Sequence, residues 1–301
     1  MLGHLVARRL PGTTLDHGKA LVRAGAVYMG HLRIRVPTAR VAAGERISVY
    51  PEALAEQELP DDVVCVVWQD DDLVVLDKPA GVPVSATRQS ARGTLSEALR
   101  RRLEADGVLR PYVGLVHRLD RGASGLVLFT VRSVANVSVH RQFAEHAIER
   151  RYRLRVHGEV APAIDCDAPI LELHSGTAKV APDSPHARAA RTHFVRLAAA
   201  VAIEGTSLLE ARLETGRHHQ IRVHAAHLGH PVVGDRRYGR DDGAPRLHLH
   251  AAHLRLHHPA DDRIVEIVAV LPEWARAVDD APVSPTGAPL RPHVPLGPLG
   301  P

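Results

Sequence analysis

The sequence predicts an α+β fold with a mixed, largely antiparallel sheet. Strand-like runs recur at short spacing, helical periodicity is confined to a few short segments, and the two do not alternate in the β–α–β order of a parallel sheet. No internal repeat is visible, and no apolar run approaches the ~20 residues that a bilayer span requires.

Residues 4–24 read as two short amphipathic helices around Pro11-Gly12, carrying Leu5, Leu10, Leu15 and Leu21. A compact β-like stretch follows at Ala26-Val27-Tyr28, Ile34, Val36, Val41 and Ile47-Ser48-Val49, punctuated by Gly30 and Gly44. Residues 51–61 (PEALAEQELPD) are acidic and proline-flanked, as a linker would be. Val63–Trp68 and Leu73–Leu76, separated by Gln69-Asp70-Asp71-Asp72, make a hairpin pattern. Leu95, Leu99 and Leu103 predict a helix over Thr94–Glu104. Further strands are expected at Gly125–Thr130, Tyr152–Val156, Thr192–Leu197, Ser207–Leu213, Leu247–Leu256 and Ile264–Leu271. Helices are expected at Val134–Ile148 and His218–Leu228, the second stopped by Gly229 and Pro231. Residues 281–301 hold seven prolines, one arginine and no acid, a composition that predicts disorder. The expected organisation is a small basic module (1–50), an acidic linker (51–61), a larger domain (62–280) and a proline-rich tail (281–301).

Composition narrows the function. With 45% hydrophobic residues in 301, wholesale disorder is excluded. Cys65 and Cys166 form no CxxC pair, which excludes a disulfide framework or zinc ribbon and fits a reducing cytoplasm. The opening MLGHLVARRL lacks the apolar core of a secretory signal, so a soluble, cytoplasmic protein is expected. Net charge is only +4, but residues 1–50 carry eight bases against two acids. Such a segment suits a polyanion-binding module. An arginine-favouring genome is the competing account, since Lys19, Lys78 and Lys179 are the only lysines.

Two stretches carry candidate chemistry. Gly114-Leu115-Val116-His117-Arg118-Leu119-Asp120-Arg121-Gly122-Ala123-Ser124-Gly125 places Asp120 in a loop before a buried strand, where a scaffold can fix a reactive carboxylate. A turn-capping aspartate is the other reading of the same residues. Glu214-Thr215-Gly216-Arg217-His218-His219-Gln220-Ile221-Arg222-Val223-His224 puts Arg217 at a strand–helix junction, free to hold a partner carboxylate ionised or to form a weak surface pair. The histidines from His218 to His258 invite a metal reading, but no HExxH or carboxylate-flanked pair is present, which favours hydrogen-bonded core histidines.

Together these pieces resemble the RluA-type pseudouridine synthases, which isomerise uridine within RNA, over roughly residues 62–275. The resemblance lies in Asp77-Lys78-Pro79-Ala80-Gly81-Val82-Pro83-Val84, His117-Arg118-Leu119-Asp120, Arg151-Tyr152-Arg153-Leu154, Gly216–His224, and Leu249-His250-Ala251 through Pro259. Gly122-Ala123 and His218 depart from the usual pattern beside two of these motifs. Residues 2–50 are similar to the alpha-L RNA-binding module often joined to such enzymes.

The resemblance implies the pseudouridine synthase fold, an RNA substrate (ribosomal or transfer), no cofactor, no metal and no obligatory protein partner. It assigns catalysis to Asp120, Arg217 and Tyr152, with Arg118, His117, Lys78 and Arg222 as substrate-binding candidates. Tyr152 would stack on the target base, and Lys78 and Arg222 would be phosphate contacts or structural ion pairs. Arg217 is expected to hold Asp120 charged in a close ion pair; at ~4 Å and an effective dielectric of ~20 the attraction is about 4 kcal/mol before desolvation. Two other classes stay open: a non-catalytic RNA-binding or ribosome-assembly protein on the same scaffold, and a histidine-ligated metal hydrolase.

Overall fold

The computed structural model describes residues 1–30, 32–51, 59–86, 93–173 and 175–280. The tail at 281–301 and most of the linker, 52–58, lie outside the described residues. The chain forms two compact units, one of Met1–Val63 with Val82–Arg102, the other of Val64–Gly81 with the described residues from Leu103 onward. Residues 82–102, expected in the larger domain, fall in the first unit.

In the first unit α1 (Leu2–Arg9) and α2 (Leu15–Ala24) are separated at Pro11-Gly12 as expected. Thr14 Oγ1 caps α2 by accepting from the His17 N–H at 3.2 Å, and Gly25 ends the helix at φ 78°. β1 (Val27–Met29), β2 (Leu32–Ile34) and β3 (Ile47–Val49) form an antiparallel sheet in the order β2-β1-β3. Leu2, Val6, Leu21, Val22, Ala26 and Val27 make a buried core, while Arg8, Arg9, Arg23, Arg35, Arg40 and Arg46 are exposed. Val36 and Val41, read as strand residues, lie outside the strands. α3 (Leu95–Ala105) begins at a capping threonine, Thr94, whose Oγ1 accepts from the Glu97 N–H at 3.3 Å.

In the second unit β4 (Cys65–Gln69) and β5 (Leu73–Lys78) form the expected hairpin, with a register shift between Val66 and Trp68. The chain continues through β6 (Gly114–Leu115), β7 (Ser124–Thr130), α4 (Ser133–Ala144), β8 (Glu149–His157) and β9 (Ala163–Cys166). A separate hairpin, β10 (Ile170–Glu172) with β11 (Ala178–Val180), precedes β12 (Thr192–Leu197), β13 (Thr206–Leu213), α5 (Gln220–His227), β14 (Leu249–His257) and β15 (Ile264–Val268). The main sheet runs β4-β5-β7-β14-β8-β13-β12-β9, with β15 on β14 and β6 on β7. Every pairing in it is antiparallel except β7 with β14.

The strands at the centre are the most apolar. All seven residues of β7 are buried, which explains its unbroken Leu126-Val127-Leu128-Phe129 run. Where β7 meets β14, Gly125 has φ 102° and an added Cβ would run into the Ala251 backbone, so only glycine allows that approach.

Two helices are shorter than their periodicity predicts. α4 stops at Ala144 because His146 turns left-handed (φ 57°) and the chain enters β8 at Glu149. α5 starts at Gln220 because His219 is itself left-handed, at φ 56°. No helix among the described residues is long and apolar enough to cross a membrane.

Candidate active site

The segment before β7, the ends of β8 and β13, and α5 enclose a cleft of about 680 Å³ in the second unit. Asp120, Tyr152, Arg217 and Arg222, from three separate motifs, all line it, as do His117 and Arg118. Lys78 is not among the lining residues.

Asp120 is only 18% exposed in its side chain, and its partner is Arg222. Arg222 Nη1 donates to Asp120 Oδ2 at 2.9 Å. The same guanidinium grips Asp235 with Nε to Oδ2 and Nη2 to Oδ1, both at 2.7 Å. Asp235 is fully buried and also accepts the backbone N–H groups of Arg237 and Tyr238. Burial works against the charge on Arg222, but the bonds to Asp235 and the charge of Asp120 outweigh it and hold its pKa above the usual value. Burial likewise opposes the Asp235 charge, and Arg222 with the two backbone donors overcomes it, leaving that pKa depressed.

The expected Asp120–Arg217 pair does not form. Arg217 Nε donates to the Ala189 carbonyl at 2.9 Å, and the Arg217 N–H is received by Gln220 Oε1 at 3.0 Å. The cause is the left-handed turn at His219: residues before it belong to a loop held by Gln220, and residues after it to a helix that brings Arg222 to Asp120. Arg217 remains in the cleft with Arg188 and Glu172, whose charges act on it in opposite directions after burial has lowered its pKa.

Tyr152 reaches the cleft from β8 and is buried. Burial raises its phenol pKa, the Arg150 charge lowers it, and the Asp120 charge raises it again, so the hydroxyl stays protonated. His117 lines the cleft but is engaged structurally: Nε2 accepts the Leu128 N–H at 2.9 Å and the ring stacks on Phe143 at 5.3 Å. Burial, with Arg150 nearby, pushes His117 down to about 3, so the imidazole is neutral. Lys78 is fully buried, with Nζ donating to the carbonyls of Pro79 and Arg121 at 3.0 and 3.2 Å. That geometry suits the structural alternative of the two expected roles. Burial brings its pKa to about 8 against the favourable charges of Asp120 and Asp77. Arg118 is exposed at the rim.

Four residues that sequence reasoning did not assign complete the site. Asp235 anchors Arg222. Gln220 is buried and knits Thr215, Arg217, Arg191 and Thr192 together. His219 places Nε2 3.6 Å from Asp120 Oδ1 and Nδ1 2.6 Å from the Tyr238 hydroxyl oxygen. The Gly234-Asp235 and Tyr238-Gly239 pairs, glycine-flanked in a polar loop, were the available signal for two of them.

Several of these histidines are engaged in hydrogen bonds and packing. His224 bonds Thr192 Oγ1 and the Ala168 carbonyl, both at 2.9 Å; His250 bonds Ser124 Oγ at 2.9 Å; His248 stacks on Trp274 at 4.5 Å. Among the described residues no group of three or more His, Cys, Asp or Glu is arranged to hold a metal ion.

Comparison with known proteins identifies the family. The family described as RNA pseudouridylate synthase matches residues 72–227, which hold Asp120, Tyr152, Arg217 and Arg222. An uncharacterized RNA pseudouridine synthase of Mycobacterium bovis is 38% identical over 282 residues, 88% of each chain. Ribosomal large subunit pseudouridine synthase D of Zymomonas mobilis is 35% identical over 73% of each chain. Human RNA pseudouridylate synthase domain containing 1 superposes with a TM-score of 0.60 and 26% identity, covering 72% of this chain and 87% of that one.

Proposed function

This chain belongs to the RNA pseudouridylate synthase family, of the RluA type, and from that premise we propose that it isomerises uridine in large-subunit ribosomal RNA with Asp120 as the reacting carboxylate. The enzyme is an RNA isomerase. The ribosomal substrate rests on relatives that carry that name.

The observation that carries the reading is the Asp120–Arg222 pair in a cleft it shares with Tyr152. The reaction breaks the glycosidic C–N bond, turns the uracil and rejoins it through C5. The C5 proton leaves and N1 takes one up, so nothing is oxidised or hydrolysed and no redox group or hydrolytic metal is called for. What the chemistry needs is a carboxylate that stays ionised in a partly dry site, whether it attacks the nucleoside or removes a ribose proton. Arg222, anchored by buried Asp235, supplies the fixed positive charge for that.

Tyr152 offers a stacking face to a uracil that must first swing out of its helix. Arg118 at the rim suits the flanking phosphate or the space the base vacates, and Arg217 with Arg188 adds positive charge along the cleft. The exposed arginines of the first unit suit a second RNA contact.

Release of tritium from 5-tritiated uridine in transcribed large-subunit ribosomal RNA tests the proposal. Wild-type protein should release it and Asp120→Asn should not. No release from any cellular RNA would favour a non-catalytic RNA-binding protein.

A further inference from the structure

Asp120 spends its two oxygens differently. Oδ2 is committed to Arg222 at 2.9 Å, whereas Oδ1 faces His219 Nε2 at 3.6 Å. His219 stands in a left-handed conformation (φ 56°) that disfavours large side chains, so its ring must gain enough from its surroundings to offset that cost. Those surroundings are specific. The ring stacks on His218 at 3.7 Å, meets Tyr238 edge-on, and has Nδ1 2.6 Å from the Tyr238 hydroxyl oxygen.

The chemistry of these partners selects one tautomer. Tyr238 oxygen already accepts the Ala178 N–H at 2.9 Å, from the first residue of β11. Its own proton is therefore available to His219 Nδ1. A proton on Nδ1 instead would leave the Nε2 lone pair pointing at the Asp120 carboxylate, an electrostatic clash. With Nδ1 accepting, the ring proton sits on Nε2, 3.6 Å from Oδ1. The β10–β11 hairpin thus connects through Tyr238 and His219 to the carboxylate, and the Gly176 carbonyl between those strands also receives His218 and Arg237. Burial, opposed in part by Asp120, brings His219 to about 4, so at neutral pH it is a neutral donor and adds no second charge beside Arg222.

We propose that His219 is a positioning residue for Asp120: its Nε2–H, fixed in that tautomer by Tyr238, sets the plane of the carboxylate and marks Oδ1 as the oxygen that reacts. This rests on Asp120 being the reacting group. At 3.6 Å the contact is loose in the free enzyme, and catalytic hydrogen bonds commonly tighten only once substrate is bound.

Two measurements test it. In protein with 15N-labelled histidine, His219 (assigned by its loss in His219→Gln) should show a protonated Nε2 and an unprotonated Nδ1, and Tyr238→Phe should mix the two forms. A protonated Nδ1 in the wild type overturns the proposal without reference to activity. In the tritium-release assay on ribosomal RNA, His219→Phe, which keeps a ring but no donor, should lose about ten- to a hundredfold in kcat with KM within about twofold. His219→Gln, whose amide can donate from the place of Nε2, should recover most of it. Wild-type kcat in His219→Phe, or equal damage in both variants, overturns the proposal. An active Asp120→Asn would overturn the underlying reading as well, whereas an inert Asp120→Asn beside an unaffected His219→Phe overturns this inference alone.

Discussion

Removing Arg222 should cost this enzyme its fold stability and its chemistry together, and removing Arg217 should cost it far less stability. The Arg222 guanidinium makes three charge-assisted bonds, at 2.7, 2.7 and 2.9 Å, to two carboxylates. Asp235 has no exposed side-chain surface, so Arg222→Ala leaves a buried carboxylate with only the two backbone donors of Arg237 and Tyr238. Orphaning one member of such a pair costs about 3–5 kcal/mol. For a domain of this size 1 kcal/mol moves Tm by about 2–4 °C, so the expected fall is roughly 6–20 °C. Arg217→Ala removes one hydrogen bond from a half-buried guanidinium to a carbonyl, about 0.5–1.5 kcal/mol, and should shift Tm by a few degrees at most. In the tritium assay Arg222→Ala should also lose about a hundred- to a thousandfold in kcat, the scale of a lost preorganised charge contact. The double variant Arg222→Ala/Asp235→Ala should be clearly less destabilised than the sum of its parts, because neither charge is then left alone. Equal melting losses for Arg217→Ala and Arg222→Ala, or a wild-type Tm in Arg222→Ala, would refute the assignment of Arg222 as the buried anchor.

Acid should destabilise the protein through its histidines. Burial depresses His219, His248 and His250 to about 4 and His117 to about 3, from an unfolded value of 6.5. The unfolded chain therefore takes up protons below pH 6.5 that the fold refuses, and stability present above that pH is lost as pH falls through the window down to about 4. Melting scans should show Tm falling through it, and His248→Gln should flatten the slope; a pH-independent Tm from 7 to 5 would contradict this. Tyr152→Phe keeps a stacking face and should retain RNA binding, whereas Tyr152→Ala should weaken it by about 1–3 kcal/mol in a filter-binding titration. Gly125→Ala forces a Cβ into the Ala251 backbone at φ 102° and should cost more than about 2 kcal/mol in chemical denaturation, with loss of activity from the displaced Asp120 loop.

The readability of this chain followed the range of the interactions concerned. The hairpin of β4 and β5, the helices around Pro11-Gly12 and the buried run of β7 were legible because each is specified within a few residues: alternation, a breaker, an unbroken apolar stretch. The short strands β9, β10 and β11 were not, since three or four residues carry no periodicity, and β9 finds its partner only in β12, beyond the β10–β11 hairpin. Asp120 and Tyr152 were found by motif and share the cleft. The choice between Arg217 and Arg222 failed for a local reason with a long-range consequence. The sequence Arg217-His218-His219-Gln220-Ile221-Arg222 reads as a continuous helix start, yet a left-handed residue at His219 separates the two arginines into different elements. Histidine carries little turn signal, unlike the glycine or asparagine that usually occupies that conformation. What holds it there is tertiary, through Tyr238 and the neighbouring His218 ring, with Asp120 close by. The feature that hid the true ion pair from the sequence is thus the one that aims an imidazole at the same carboxylate.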